Sequence, residues 1–292
     1  MIRKTVSFLN KKNKVFKKRA NYSLTTNGSL ITEEIIQFFN KHKFSVALSF
    51  DGLAQDVLRN KGSFKKTVSI VEKLLNFPDI ELEVNSVFTP ATVDYLSESI
   101  KFIMDLDVPS INFSLSIIKP WNQASLLKLE SEMMKLVKIL VSNFRRKGNI
   151  PVVNFREEPD TGIFYCAAGK DRLAITPDEE IWGCFLFPDY FKGKEHSPEY
   201  KKFYFGGLDD FIENHKSIYP RILSNYARLS MDNFSSSHLG CFLCPELENC
   251  AVCPINASFS GNPLGEIPSY LCKIHKIKIK EKEKFRIEIQ EI

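Results

Sequence analysis

The sequence predicts an α/β fold. A parallel sheet with crossover helices fills the first 150 residues, and a loop-rich, cysteine-rich α+β part follows. Three observations predict it. Strand-like and helix-like patterns alternate four times over roughly the first 125 residues, the signature of a parallel sheet. The character changes after Lys147, where Gly-Asn-Ile-Pro marks a boundary near 150. All seven cysteines lie beyond that boundary, five of them between Cys241 and Cys272.

Each element follows from its pattern. Residues 2–18 carry helical spacing at Ile2, Val6, Leu9 and Phe16. Residues 22–26 read as a strand closed by the turn pair Asn27-Gly28. Thr32 is an N-cap candidate for a helix to about Lys41, with Glu33 and Glu34 in its first turn. Residues 44–50 form a second strand and residues 63–76 a helix. Residues 80–88 form a third strand, ending before Pro90. Residues 92–106 are helical, with Tyr95, Leu96, Ile100 and Ile103 on one face. Residues 111–118 form a fourth strand, and a long helix covers 123–146. Ligands of parallel α/β folds sit beyond the carboxyl ends of the strands. Asn27, Ser49, Asp51 and Asn85 stand at or just after strand ends, where turn residues are also expected. Beyond 150 the pattern predicts a helix at 208–215, a mixed stretch to about 230 and a loop at 232–238. From Lys273, Ile alternates with Lys and Glu, which reads as a solvated strand or frayed extension. The expected domains are 1–150, 151–275 and a charged tail at 276–292.

Composition bounds the function. The chain has 292 residues, 43% apolar and 26% charged, with a net charge of +5. That is an ordinary globular composition, which excludes disorder, collagen and a coiled-coil rod. No run approaches about 18 apolar residues, so no membrane span is expected. The first twenty residues hold eight Lys or Arg and no continuous apolar region, so they are not a secretory signal. A cytoplasmic location and reduced cysteines are expected. Basic stretches at both ends lack a helix-turn-helix or stacked-aromatic motif, so nucleic acid is not an expected partner. The 24 Phe against two Trp point to a Phe-filled core.

The cysteines carry the chemistry. Cys241-Phe-Leu-Cys244 and Cys250-Ala-Val-Cys253 are two C-x2-C units five residues apart. Such a unit lets two sulfurs converge on one centre, and two units suit a Zn–S4 site or iron–sulfur ligands. Zinc would take four thiolates and leave Cys166, Cys184 and Cys272 unexplained. Two 4Fe–4S clusters need eight ligands, and the chain has seven cysteines. One iron would then have a non-cysteine ligand or an open position, and Asp160 is a candidate. His42, His196, His215 and His275 are scattered, and His238 lies three residues before Cys241.

The segment from Cys166 through Gly169 and Thr176-Pro-Asp to Gly183-Cys184 resembles the opening of a SPASM domain, the auxiliary iron–sulfur module of many radical SAM enzymes. The later cysteines resemble its remaining ligands. Residues 23–34 and 46–52 resemble the third and fourth strands of a radical SAM barrel, and Arg59 with residues 61–64 fits as well. The chain is thus similar, over about residues 1–275, to peptide- and protein-modifying members such as the anaerobic sulfatase-maturating enzymes. The resemblance implies a partial barrel, its strands three to six, followed by a SPASM domain. It implies that Cys166, Cys184 and Cys253 hold one 4Fe–4S cluster, and Cys241, Cys244, Cys250 and Cys272 a second. It further implies that Ser49 and Arg59 contact S-adenosylmethionine, with Asn27 and Asn85 lining the same cleft, and that the partner is a precursor peptide or protein.

The departures are specific. No cysteine precedes Cys166, so the C-x3-C-x2-C loop that holds the SAM-cleaving cluster has no counterpart. The first two barrel strands and the Gly-Gly-Glu segment are missing as well. The chain as given is expected not to generate an adenosyl radical alone. It reads as a fragment or mis-started reading of a longer enzyme, with a missing N-terminal half or partner chain, or as a degenerate paralogue. The Cys250–Cys253 gap is two residues where relatives often have three. Phe185 stands where the sulfatase-maturating enzymes place a basic carboxylate, and Phe accepts no proton, so formylglycine formation is not expected. The competing readings are a non-catalytic iron–sulfur electron carrier or peptide-binding partner, and a zinc-stabilised module.

Overall fold

The computed structural model describes residues 2–17, 19–116, 118–157, 163–232, 240–250, 252–255, 257–261 and 263–292. Asp160, His238 and most of the 232–238 loop fall outside these residues. The chain divides into two compact units, Met1–Leu115 with Lys135–Arg156, and Ser116–Met134 with Glu157–Glu291.

The first unit alternates helix and strand as its sequence pattern demands. The order is α1 (Ile2–Phe16), β1 (Ser23–Thr26), α2 (Glu33–Lys41), β2 (Ser45–Ser49), α3 (Gln55–Leu58), α4 (Ser63–Leu75), β3 (Glu81–Phe88), α5 (Leu96–Asp105) and β4 (Ser110–Leu115). The four strands form one parallel sheet in the order β1-β2-β3-β4. Thr32 caps α2, its hydroxyl accepting from the Ile35 N–H at 3.4 Å.

Strand alternation separates the two sheet faces. Val46, Leu48, Leu82, Val84, Phe88, Ile111 and Phe113 are buried on one face. The helices contribute Ile36, Phe39, Val71, Leu74, Ile100 and Ile103 to the buried core. Each such side chain stabilises by about 1.5–3 kcal/mol relative to exposure. The opposite face is polar and borders an open cavity of about 590 Å³, lined in part by Thr25, Ser45, Glu83, Asn85 and Ser110. Tyr95 departs from its expected face and is exposed. It ends a 3-10 turn, Val93–Tyr95, which shifts its phase relative to α5. The fourth strand stops at Leu115, short of the expected Ile118.

Helix α6 (Gln123–Lys147) carries residues of both units. The second unit adds β5 (Ala174–Ile175), β6 (Glu180–Trp182), α7 (Leu186–Phe191), α8 (Pro198–Phe203), β7 (Tyr204–Gly207), α9 (Leu208–Asp232) and α10 (Ser269–Gln290). Its three strands form an antiparallel sheet, β5-β6-β7. Trp182, Phe187, Phe191, Phe203, Phe205 and Tyr226 fill its core, so the Phe-rich composition is used here.

Two helices correct the sequence reading. The helix expected at 208–215 continues through Pro220 to Asp232. Burial of Ile222, Tyr226 and Leu229 offsets the cost of an interior proline. The stretch from Lys273, read as a strand or frayed extension, is most of α10. Leu271, Ile274, Glu281 and Phe285 are buried at helical spacing, and the Lys- and Glu-rich sequence favours helix once that face has something to pack on. Among the described residues, no helix is long and apolar enough to cross a membrane.

Candidate functional site

A row of polar groups runs from the carboxyl end of β2 across the middle of β3 and β4. Register places Ser49 opposite Asn85 and Asn85 opposite Asn112, a row across β2, β3 and β4 on the polar face. Asn27 follows β1 directly, and its Oδ1 accepts from the Ser29 N–H at 3.0 Å, closing the turn at Gly28. The Oδ1 of Asn85 is buried and has no hydrogen-bond partner among the described residues. A buried carbonyl without a donor is costly, which suits a position that a ligand N–H or O–H satisfies.

Arg59 follows α3 and is held by Asp51. Its Nε donates to Asp51 Oδ2 at 2.5 Å and its second nitrogen to Oδ1 at 3.3 Å. Asp51 is buried and also accepts from the Val87 N–H at 2.8 Å, while its own N–H donates to Gln55 Oε1 at 2.9 Å. The guanidinium is thereby fixed at the strand ends, about a third exposed at 30%. The sequence reading named Asp51 only as a strand-end polar residue and missed Gln55 and Asn112. Only the register, which sequence does not print, aligns Asn112 with Asn85.

The seven cysteines are free thiols. Cys241, Cys244, Cys250 and Cys272 line one cavity, together with Phe164, Val252, Ile267 and Ile279. Tight turns place the first three. Gly240, at φ 68°, opens the 3-10 turn Cys241–Leu243, and the Cys244 N–H donates to Cys241 O at 3.1 Å. The Cys250 N–H donates to Leu247 O at 3.1 Å. Cys272 sits in the first turn of α10, its N–H directed to Pro268 O at 3.3 Å. One turn further, His275 lines the same cavity, its Nε2 at 2.9 Å from Asn249 O. Burial pushes the Cys250 thiol up to about 11 against the Val252 N–H, and Cys272, Cys241 and Cys244 push it further. Burial raises Cys241 likewise, aided by Cys272 and Cys244. The four sulfurs thus lie within electrostatic reach of one another.

Cys166, Cys184 and Cys253 pack instead against the aromatic core. Cys166 and Cys184 bracket a hairpin formed by β5 and β6, closed by Thr176 N–H to Glu180 O and Glu179 N–H to Thr176 O, each 3.0 Å. Burial raises the Cys166 thiol; Cys184 adds to this, and the Ala168 N–H, Lys170 and Arg172 oppose it. Tyr165, next in chain, hydrogen-bonds Asp171 and lies under the Lys170 ammonium. Phe185 is exposed at 69%.

Among the described residues, no group of three or more His, Cys, Asp or Glu stands close enough to hold a single metal ion. The four thiols lining one small cavity, about 30 Å³, are a donor set whose chemistry iron–sulfur clusters and zinc both use. A surface groove of about 750 Å³ runs along α10 past Lys280, Glu283 and Lys284 and contains none of the cysteines.

No family model matches the chain. It is 25% identical over 299 aligned positions, 94% of its length, to the radical SAM cyclopropyl synthase TigE of Paramaledivibacter caminithermalis, of which the match covers 57%. It is 32% identical over 98 positions, 32% of this chain and 26% of the other, to a cysteine-type anaerobic sulfatase-maturating enzyme of Clostridium novyi. The fold is like that of anSMEcpe with bound AdoMet and Kp18Cys peptide, with a TM-score of 0.72, 16% identity, and coverage of 100% of this chain and 82% of the other. The chain thus spans a little over half the length of the cyclopropyl synthase. These likenesses bear out the resemblance to radical SAM proteins of the maturase type, and the α/β fold.

Proposed function

We propose that this chain is the cluster-bearing portion of a radical SAM enzyme that modifies a peptide or protein. The observation that carries the reading is the sorting of its cysteines into two groups. One group, Cys241, Cys244, Cys250 and Cys272, lines a single cavity. The other, Cys166, Cys184 and Cys253, packs on the aromatic core of the second unit. The two groups would hold two auxiliary 4Fe–4S clusters in a SPASM domain at 151–275. The clusters, when bound, supply electron transfer or a substrate contact. The protein's part is to release the thiol protons, since ligation needs thiolates, and to shield the sulfurs behind Phe164, Val252 and Ile267.

The polar row supports S-adenosylmethionine binding. Ser49, Asn85 and Asn27 would offer hydrogen bonds, and the orphaned Oδ1 of Asn85 would accept from the ligand. Arg59, held by Asp51, would present its remaining N–H groups to a carboxylate. The structural likeness supports a peptide substrate: anSMEcpe is seen with bound AdoMet and Kp18Cys peptide. We infer a cytoplasmic, reducing location from the thiol chemistry. Sulfonium cleavage needs a three-cysteine loop, and this sequence has no cysteine before Cys166. A second reading is a non-catalytic electron carrier or peptide-binding partner with the same clusters.

Anaerobic reconstitution with iron and sulfide tests the reading. The expected product is a brown protein with about eight irons and matching labile sulfide per chain. A colourless protein with one zinc and no sulfide would overturn it. Equilibrium dialysis with S-adenosylmethionine separates the two readings, because the electron carrier has no need to retain it.

A further inference from the structure

Tyr226, on α9, is fully buried beneath the hairpin that carries Cys166 and Cys184. Its ring lies against two glycines, Gly169 and Gly183. A Cβ added at Gly183 would stand 2.5 Å from two ring carbons, and one at Gly169 would stand 2.9 Å from a third. Gly169 takes φ +70°, and its N–H donates to Gly183 O at 3.0 Å, which ties the two ends of the hairpin together over the ring. Gly169 comes three residues after Cys166, and Gly183 immediately precedes Cys184.

The hydroxyl is used twice. It accepts from the Gly183 N–H at 2.8 Å and donates to Phe203 O at 2.6 Å. The ring is fixed in turn by Phe205, stacked with centroids 5.6 Å apart, and by Phe187 and Phe203 at 4.9 and 5.1 Å near edge-on. A Phe would fill the same aromatic slot. The hydroxyl adds a bond between the peptide that leads into Cys184 and the end of α8, buried where water does not compete. The phenol also lies within electrostatic reach of both thiols.

We propose that Tyr226 is a positioning residue for the iron–sulfur site of Cys166, Cys184 and Cys253. Its ring sets the spacing of the two cysteine-bearing chain ends, and its hydroxyl fixes the peptide before Cys184. The proposal rests on the cluster assignment above. Backbone placement around a cluster tunes its potential through hydrogen bonds to sulfur and through solvent access, so a change at this hydroxyl reaches the cluster without touching it.

The test compares reconstituted wild type, Tyr226→Phe, Tyr226→Leu, Cys166→Ala and Cys250→Ala. Iron and labile sulfide, electron paramagnetic resonance and potentiometric titration are read for each. Tyr226→Phe is expected to keep its circular dichroism and its full iron. It should shift the resonance and midpoint potential of one cluster, the one that Cys166→Ala removes, and leave unchanged the one that Cys250→Ala removes. Tyr226→Leu is expected to lose about half the iron. If Tyr226→Leu fails to fold, the Phe variant still decides. Unchanged resonance and potential in Tyr226→Phe would overturn the proposal and reduce Tyr226 to a core residue. An equal shift of both clusters would overturn it as well. If Cys166→Ala keeps both signals and all its iron, the cluster assignment itself fails, and the role of Tyr226 falls with it for that separate reason.

Discussion

The parallel sheet and the segment 240–272 reach order by different means. In the sheet, ladder hydrogen bonds and alternating apolar residues do the work: Val46, Leu48, Val84 and Ile111 are fully buried. Among the described residues of the segment 240–272, regular structure before α10 is limited to the 3-10 turns Cys241–Leu243 and Ala257–Ser260. Its backbone bonds are short turns, such as Leu247 N–H to Cys244 O and Asn249 N–H to Glu246 O. Among its described residues Cys241, Val252, Ile255, Ile267 and Leu271 are buried apolar side chains. A stretch held by isolated turns rather than ladders is one to whose folding a bound metal centre would contribute. The contrast teaches that one chain can order one region by periodic burial and another by short turns.

Iron removal should break the comparison most sharply. Chelation of the reconstituted protein is expected to abolish hydrogen-exchange protection at 240–272 while β1–β4 keep theirs. Mass-spectrometric exchange would show this, and equal loss in both regions would count against the contrast. The next largest effect is expected inside the sheet unit. Asp51→Ala leaves the part-exposed Arg59 and the Val87 N–H without their partner and should cost about 1–3 kcal/mol, the range for an unsatisfied buried group. Denaturant titration measures it.

Gly183→Ala sharpens the contrast within the cysteine-rich unit. Its Cβ would meet the Tyr226 ring and the Gly169 N at 2.5–2.7 Å, so a loss of about 1–3 kcal/mol is expected from overpacking. Gly207→Ala, with nothing within 4 Å of its Cβ, should change stability little in the same assay. The cluster-free protein should also weaken in alkali. The folded thiol of Cys250 is raised to about 11 from an ordinary value of 9, so the unfolded chain loses its proton first. Stability from this group is full below pH 9 and falls as pH rises toward 11. Tyr200, raised to about 12 by burial, acts in the same direction from pH 10 upward. A melt series between pH 8 and 11 checks it, and a rising melting temperature would contradict it. The smallest effect is Thr32→Ala, which removes the α2 cap at a cost of about 1 kcal/mol.

Much of this was legible beforehand, for reasons visible in particular residues. Helix and strand periods marked α1, α2, α4, α5, α6 and β1 to β4, because burial of one face writes a period into the sequence, while α3, four residues long, was missed. The two C-x2-C units were legible as candidate metal ligands, because their spacing lets two sulfurs converge. Less legible was the cysteine-rich unit's helical content. Helices α7 and α8 are six residues each, too short to print a period. Helix α9 hid behind Pro220, and α10 behind an Ile-Lys alternation that mimics a strand, because its helical signal depends on a buried face supplied by the rest of the unit.

The sequence by itself determined the α/β class, the parallel sheet and the candidate ligands, since these depend on local period and residue spacing. Tertiary structure alone decided which distant residues meet. Register set Asn112 beside Asn85, the turn after β2 brought Asp51 to Arg59, and α9 carried Tyr226 under Gly169 and Gly183. It also gathered Cys272 with Cys241, Cys244 and Cys250, a set that the family resemblance implied and that spacing along the chain does not give. Such meetings depend on long-range packing, and no local pattern in the chain encodes them.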